Sequence, residues 1–382
     1  MRREIPELTR YLKPFCISVS VLMVMAIFTS CSFFGKLDSS ITKKPKKIIA
    51  VEKPNNNDAN LLARNLFNAQ GQKVYDDICS TIENQQKTYK FDVDLTIDSV
   101  KKIILAIQAD KPEYFWFENY TWFQFEGDPS VDRIEMKYNC DLATRKAKQA
   151  KIDTYYSSFR QTVADYQSDY EKIKAAHDYI ILNTDYVLNS TDNQNICSVF
   201  IYGKSVCAGY AKATQYLLQK LGIEVAYVTG EAIGKGSHAW NIVKSDGDYY
   251  FIDVTWDDPS FSTEQNKSNI RYNFFNITSA ELALTHKIEG NILKFPVCTA
   301  TKDNYFVKEN LYFDNLDTNS VSILKTQIMD AIYSGQTSYS AKFLNQKLME
   351  EALSEITKFD AFAGSEITYS FDKENFILIV FL

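Results

Sequence analysis

The chain has 382 residues, enough for two or three domains of about 150 residues each and for a sizeable hydrophobic core. Its 42 lysines and arginines and 48 aspartates and glutamates give a net charge of −6, and such a mildly acidic chain is not expected to bind nucleic acid. The three histidines, His177, His238 and His286, lie far apart in the sequence. A histidine-rich metal site is therefore not expected. No cofactor is predicted for the chain.

Residues 1–30 have the pattern of an export signal, with basic residues first, then an uncharged apolar stretch and then small residues. The apolar stretch is shorter than the ~20 residues that a membrane span needs. The run Phe28-Thr29-Ser30-Cys31 resembles the lipobox of bacterial lipoproteins, which implies that Cys31 carries a lipid. A plain cleaved signal and an uncleaved anchor are the alternatives. Residues 31–60 are predicted to form a flexible tether, because their lysine, proline and asparagine runs offer nothing to bury.

Residues 61–160 are interpreted as an α/β module. Helical spacing over Leu61–Asn84 predicts a helix, alternation over Tyr89–Ile97 predicts a strand, and Ser99 is the predicted cap of a second helix. Eight of the twelve residues in Tyr114–Phe125 are aromatic. This run favours two core strands, because aromatic residues are enriched in strands. A sugar-stacking platform for cell-wall glycan is the alternative.

Two further regions, residues 143–184 and 300–382, give coarser predictions of secondary structure. Residues 143–184 are predicted to form one or two long helices, with His177 in a structural role. Residues 300–382 are predicted to form a small α+β module with helices over Val321–Tyr333 and Gln346–Ile356. The apolar end, Phe376–Leu382, is too short to span a bilayer and predicts a buried central strand.

A cysteine at the start of a helix is the first candidate for chemistry. Five cysteines follow Cys31, an odd number, so at least one thiol of an exported chain stays free. Apolar residues from Tyr210 to Leu221 have helical spacing, and Ser205 as N-cap would place Cys207 in the first turn. The helix dipole and unpaired backbone N–H groups there favour the thiolate and can bind an oxyanion.

A hairpin downstream supplies a histidine and an aspartate. His238–Lys244 and Tyr249–Trp256 are predicted strands joined by an Asp-Gly turn. If Lys244 pairs with Tyr249, His238 and Asp253 are diagonal neighbours on one face, ~7–8 Å apart at the backbone. An aspartate that orients a histidine beside a cysteine is the arrangement needed for thiol attack on an amide or ester.

Three motifs in this order resemble the transglutaminase-like superfamily: Val206-Cys207-Ala208-Gly209-Tyr210-Ala211, His238-Ala239-Trp240-Asn241 and Asp253-Val254-Thr255-Trp256-Asp257-Asp258-Pro259. Tyr272-Asn273-Phe274-Phe275-Asn276 and His286 are similar to the bacterial branch of that family. The resemblance implies an α+β, papain-like domain over residues 161–295, in which the cysteine helix packs on an antiparallel sheet bearing His238 and Asp253. It further implies Cys207 as nucleophile, His238 as base and Asp253 as orienting group. Trp240 and Tyr210 are candidate substrate contacts.

The expected function is that of an exported, lipid-anchored cysteine enzyme acting on amide bonds of peptides or proteins at the cell envelope. Water is slightly favoured over a lysine amine as the group that resolves the acyl-enzyme, since an amine needs its own binding tunnel. The expected partners are a peptide or protein substrate and a membrane reached through the N-terminal lipid, with no metal and no nucleic acid. A non-catalytic envelope binding or scaffolding protein that retains the fold is the alternative.

Overall fold

The computed structural model describes residue 50 and residues 61–259, 270–362 and 367–382, together with the backbone of Arg3–Glu4 and Gly35–Asp38. Apart from these two short strands and residue 50, the predicted signal at 1–30, the predicted lipid attachment at Cys31 and the predicted tether at 31–60 lie outside the described residues. No helix within the described ranges is long and apolar enough to cross a membrane.

Eleven α-helices and two 3-10 helices occur in the described part of the chain. The longer helices are Ala69–Glu83, Ile97–Asp110, Leu142–Thr162, Asp169–Asn183, Cys207–Lys220, Thr318–Tyr333 and Gln346–Ile356. The four-residue helices are Cys197–Phe200, Val254–Asp257, Ser279–Leu282 and Tyr305–Lys308, and the 3-10 helices are Arg64–Leu66 and Asp360–Phe362. We call Cys207–Lys220 the cysteine helix.

The N-terminal sheet has four strands in the order Gly35–Asp38, Phe117–Phe125, Val131–Tyr138 and Thr88–Lys90. The predicted strand Tyr89–Ile97 is wrong beyond Lys90, and Thr96, not Ser99, caps the next helix by accepting a hydrogen bond from the Ser99 N–H. The aromatic run forms one strand instead of two, because Tyr114–Trp116 fold into a turn before it.

The C-terminal sheet has the order Arg3–Glu4, Thr368–Asp372, Ile377–Phe381, Ser338–Phe343 and Tyr312–Phe313. Ile377–Phe381 is antiparallel to both neighbours, and Ile377, Leu378 and Val380 are buried. The prediction of a buried central strand at the end of the chain is therefore confirmed.

The central sheet carries the candidate site. Its order is Asp248–Ile252, Gly236–Ser245, Val225–Ala232 and His286–Ile288, and every pair in it is antiparallel. The cysteine helix packs on it, with Asn241 donating a hydrogen bond to the Ala211 carbonyl of the helix. A short parallel pair, Asp185–Tyr186 and Lys204–Ser205, leads the chain into this helix.

The predicted domain boundaries near residues 160 and 300 stay predictions. One buried apolar cluster extends from Ala63 to Phe275 and contains residues of both the first helix and the cysteine helix, such as Ile78 and Leu217. A separate cluster fills the C-terminal sheet and its two helices.

Candidate active site

Cys207 lies in the first turn of its helix, as predicted, but it is the first residue of that helix because the cap differs. Val206 is the N-cap residue and no side chain in the described ranges caps this end. Ser205 is buried and shares a 2.6 Å hydrogen bond with Ser198 instead. The first-turn N–H groups therefore stay without a side-chain partner, and the Cys207 side chain is half-buried, so it remains accessible to a reactant.

The hairpin register is as predicted over its length, with Tyr249 opposite Lys244 and Ile252 opposite Asn241. The second strand ends at Ile252, however, and not at Trp256. Asp253 is the N-cap of the short helix Val254–Asp257, because its Oδ1 accepts hydrogen bonds from the Thr255 and Trp256 N–H groups at 3.0 and 3.2 Å. His238 and Asp253 are thus brought together by a cap and not by a strand diagonal.

His238 and Asp253 form a direct pair inside the protein. Nε2 of His238 lies 2.7 Å from Oδ2 of Asp253, and both residues are buried. Burial opposes the charged imidazole, but the charges of Asp253 and Cys207 and hydrogen bonds to both raise the pKa of His238 to about 10. Burial also opposes the carboxylate, yet His238 and His286 hold the pKa of Asp253 below its usual value.

Cys207 is the third member of the arrangement and interacts with His238. A hydrogen bond and a charge interaction with Cys207 both contribute to the raised pKa of His238. Because Nε2 is bonded to Asp253, Nδ1 is the ring atom left for the thiol. The structure therefore brings together the three residues that the sequence selected, across 46 positions of the chain from Cys207 to Asp253.

A second histidine meets the same carboxylate. Nε2 of His286 lies 3.2 Å from Oδ2 of Asp253, and the donor atoms of His238, Asp253 and His286 all lie within 4.8 Å of one another. The wide spacing of the histidines in the sequence did not indicate this proximity, because distance in sequence says nothing about distance across a sheet. The three residues have the donor types that a metal accepts, but both Nε2 atoms already bond to Asp253 Oδ2.

A glycine allows the strand that carries His286 to approach. Gly230 lies directly opposite both His238 and Ile288 in its two neighbouring strands. A Cβ at this position would lie 2.0 Å from the Lys287 carbonyl oxygen and 2.7 Å from the Trp240 ring. Since the first contact is with backbone, only glycine fits without moving the His286 strand.

Trp240 and Tyr210, the candidate substrate contacts, are both fully buried, so this assignment is corrected. The Tyr210 hydroxyl donates to the carboxylate of Asp258, with the Thr184 carbonyl as a second neighbour at 3.1 Å, and Trp240 packs on His238 and His286. Trp256 is half-buried and contacts both rings, and the Lys235 ammonium lies 4.2 Å from its ring centre. Trp256 belongs to the third sequence motif and was interpreted there as core or pocket wall, whereas no sequence signal distinguished the exposed Lys235.

His177 has the structural role expected of it. Its Nδ1 lies 2.8 Å from Asp178 and its Nε2 lies 3.2 Å from Asp257, and the ring is fully buried. Burial opposes the imidazolium, but the two carboxylates raise the pKa of His177. Asp257 also accepts a hydrogen bond from the Phe274 N–H. This cluster therefore connects the short helix Val254–Asp257, which we call the cap helix because Asp253 caps it, to the helix Asp169–Asn183 that bears His177.

Residues 157–254 match the family model of the transglutaminase-like superfamily. This segment belongs to that superfamily. The transglutaminase-like segment contains Cys207, His238 and Asp253 in the family's order, and the helix packed on an antiparallel sheet is the α+β, papain-like core that the sequence resemblance implied.

Comparison with solved structures gives more distant similarities. A transglutaminase crystal structure is 16% identical with a TM-score of 0.27, over 44% of this chain and 50% of its own. A cysteine protease candidate from Cytophaga hutchinsonii is 17% identical with a TM-score of 0.26, over 46% of this chain and 70% of its own. The periplasmic domain of TgpA from Pseudomonas aeruginosa is 18% identical with a TM-score of 0.23, over 37% of this chain and 60% of its own. The chain thus spans half the length of the transglutaminase. A comparison with curated proteins gives no match.

The transglutaminase-like segment ends before one residue of the site. His286 lies 32 positions beyond residue 254, the last position of the match, and reaches Asp253 through the edge strand His286–Ile288. Its likeness to the bacterial branch was visible in the sequence, but its contact with Asp253 was not, because neither periodicity nor hairpin register relates the two.

Proposed function

We propose that the chain is an exported, lipid-anchored cysteine enzyme that acts on amide bonds of peptides or proteins at the cell envelope. The observation that carries the proposal is the buried Asp253–His238 pair, whose second ring nitrogen is left for the half-buried thiol at a helix start. The placement outside the cytoplasm and the lipid at Cys31 are supported by the residue pattern at 1–31.

The geometry supports attack by a thiolate. With its pKa raised to about 10, His238 is protonated at neutral pH and stabilises a negative Cys207 sulfur. The sulfur bonds to the amide carbon, and the uncapped first-turn N–H groups of the cysteine helix are placed to bind the developing oxyanion. His238 then gives its Nδ1 proton to the leaving amine, and a thioester remains on Cys207.

The second half of the reaction decides the product. Neutral His238 takes a proton from an attacking water or amine, the new bond forms to the acyl carbon, and the Cys207 sulfur leaves. Water gives hydrolysis, and a lysine amine gives a cross-link. Hydrolysis is favoured because water is always present, whereas an amine needs a binding tunnel of its own.

A mass-spectrometric screen tests the proposal. The mature protein is incubated with cell-wall peptides and with model glutamine and lysine peptides, and products and acyl-enzyme adducts are measured. Cys207→Ala should abolish turnover and the adduct while the fold is retained. Cys197→Ala is the matched control, since Cys197 is a fully buried thiol outside the site, and it should leave turnover intact. Turnover by folded Cys207→Ala would overturn the thiol mechanism, and a wild-type Cys207 that iodoacetamide labels only at high pH would support the scaffolding alternative.

A further inference from the structure

His286 has no place in the three-residue arrangement, yet it bonds to the same oxygen atom as His238. Oδ2 of Asp253 lies 2.7 Å from Nε2 of His238 and 3.2 Å from Nε2 of His286. An ionised carboxylate only accepts hydrogen bonds, so each Nε2 must carry a proton. Asp253 therefore receives four N–H donors, two from backbone on Oδ1 and two from imidazoles on Oδ2.

The protonation of His286 follows from its surroundings. Burial, the positive His238 and Lys235 together lower the pKa of His286, despite the opposing effect of Asp253. A neutral imidazole carries one proton, and Asp253 requires that proton on Nε2. Nδ1 must then accept a hydrogen bond.

Thr285 supplies the matching donor. Its Oγ1 lies 2.8 Å from Nδ1 of His286, and the competing acceptor, the Leu282 carbonyl, is 3.4 Å away. Because a hydroxyl has a single proton, the shorter contact is the one in which it donates. The hydroxyl thus selects the Nε2–H tautomer, which is the tautomer that can donate to Asp253.

We propose that His286 is a positioning residue for Asp253 and that Thr285 holds it in the Nε2–H tautomer. This inference rests on the proposed function of Cys207, His238 and Asp253. The role of His286 is to keep Asp253 ionised and fixed, so that Asp253 orients His238 and does not take a proton from His238. Hydrogen bonding to the charged form of an acid favours that form, and the second imidazole adds such a bond.

Other charged groups face this cluster and stay constant in the test. Lys235 acts on Asp253 and His286 from the loop before His238, and Asp257 acts on Asp253 from the cap helix. Asp372 and Glu374 of the C-terminal hairpin act on Lys235. None of these is changed by a substitution at Thr285.

The test uses an isosteric pair at Thr285, which does not touch Asp253, His238 or Cys207 in any described contact. Thr285→Val removes the hydroxyl and keeps the shape, whereas Thr285→Ser keeps the hydroxyl. Two measurements are made on the full mature chain: the tautomer of His286 by nitrogen-15 NMR, and the rate of Cys207 alkylation by iodoacetamide against pH, with each cysteine resolved by mass spectrometry.

Thr285→Ser should match the wild type in both measurements. Thr285→Val should show other protonation forms of His286 beside the Nε2–H form, and the acid limb of its alkylation profile should move to higher pH, because an Asp253 that is held less firmly by its second donor stabilises the His238 imidazolium less well. His286→Leu should shift the limb in the same direction and further. These results support the proposal.

Two outcomes would overturn it: Thr285→Val retaining only the Nε2–H tautomer, or a rate lowered equally at all pH values, which indicates a purely structural role. A wild-type Cys207 that alkylates like an ordinary thiol contradicts the proposed function instead. In that case the NMR comparison of the serine and valine variants still decides the tautomer.

Discussion

Asp253→Asn separates the charge of Asp253 from its shape. The carboxylate accepts Thr255 and Trp256 N–H groups on one oxygen and the imidazoles of His238 and His286 on the other. Asparagine has one oxygen and one NH₂ group, so either orientation places NH₂ against two N–H donors. Asparagine is as good an N-cap as aspartate. We therefore expect the orientation that keeps the cap and sets NH₂ against the imidazoles, at a cost of ~1–3 kcal/mol for a poorly paired buried polar group.

The loss of charge has a larger effect on reactivity. Without Asp253 the pKa of His238 falls from about 10 towards its usual value, and the thiolate loses its positive partner. An ordinary thiol, with a pKa of ~8.5, is only ~1% thiolate two pH units lower. Alkylation of Cys207 at pH 6.5 should therefore slow by up to ~100-fold and should approach the wild-type rate near pH 10.

The difference in stability between wild type and Asp253→Asn depends on pH in a direction set by the pKa of His238. A histidine whose pKa is raised on folding stabilises the fold fully below its unfolded value of ~6.5, and this contribution is lost as the pH rises through about 10. The difference in thermal stability between wild type and Asp253→Asn should therefore decrease as the pH rises from ~6.5 to about 10. Asp303→Asn is the control, since Asp303 is a buried aspartate outside the site, bonded by Ser245 and Lys308. It should lose stability but keep the alkylation profile. An unchanged profile in Asp253→Asn would refute the reasoning.

The other predictions concern the sheet, metal independence and the anchor. Gly230→Ala should destabilise the fold by ~1–3 kcal/mol, measured by denaturant unfolding, and should slow Cys207 alkylation, because its Cβ displaces the strand that bears His286; a wild-type alkylation rate would contradict this. Turnover should survive EDTA, since both Nε2 atoms of the histidine pair are engaged with Asp253; loss with EDTA that zinc or calcium restores would show otherwise. Cys31→Ser should release or mis-process the protein, and a variant of unchanged mature mass in the membrane fraction would disprove lipidation.

The sequence by itself determined the features that depend on local pattern. Helical spacing and a first-turn cysteine placed Cys207 at a helix start, and the Asp-Gly turn gave the correct hairpin register. Three motifs in order identified the superfamily that the family model confirms over residues 157–254. The uninterrupted apolar run Phe376–Leu382 predicted a buried central strand, which the structure confirms as Ile377–Phe381.

Tertiary structure decided what depends on contacts between distant segments. Asp253 was predicted within a strand but is a helix N-cap, because its side chain accepts hydrogen bonds from the N–H groups of the helix that follows. The alternation that predicted the strand does not indicate these bonds. Tyr210 and Trp240 have polar atoms that suit a binding role, but neighbouring elements bury both. His286 reaches Asp253 only because Gly230 lets an edge strand approach within backbone contact, a relation among three segments that no local period encodes. A side chain's type and its place in a helix or strand are properties of the local sequence, whereas its partners are set by how the sheet brings remote strands together.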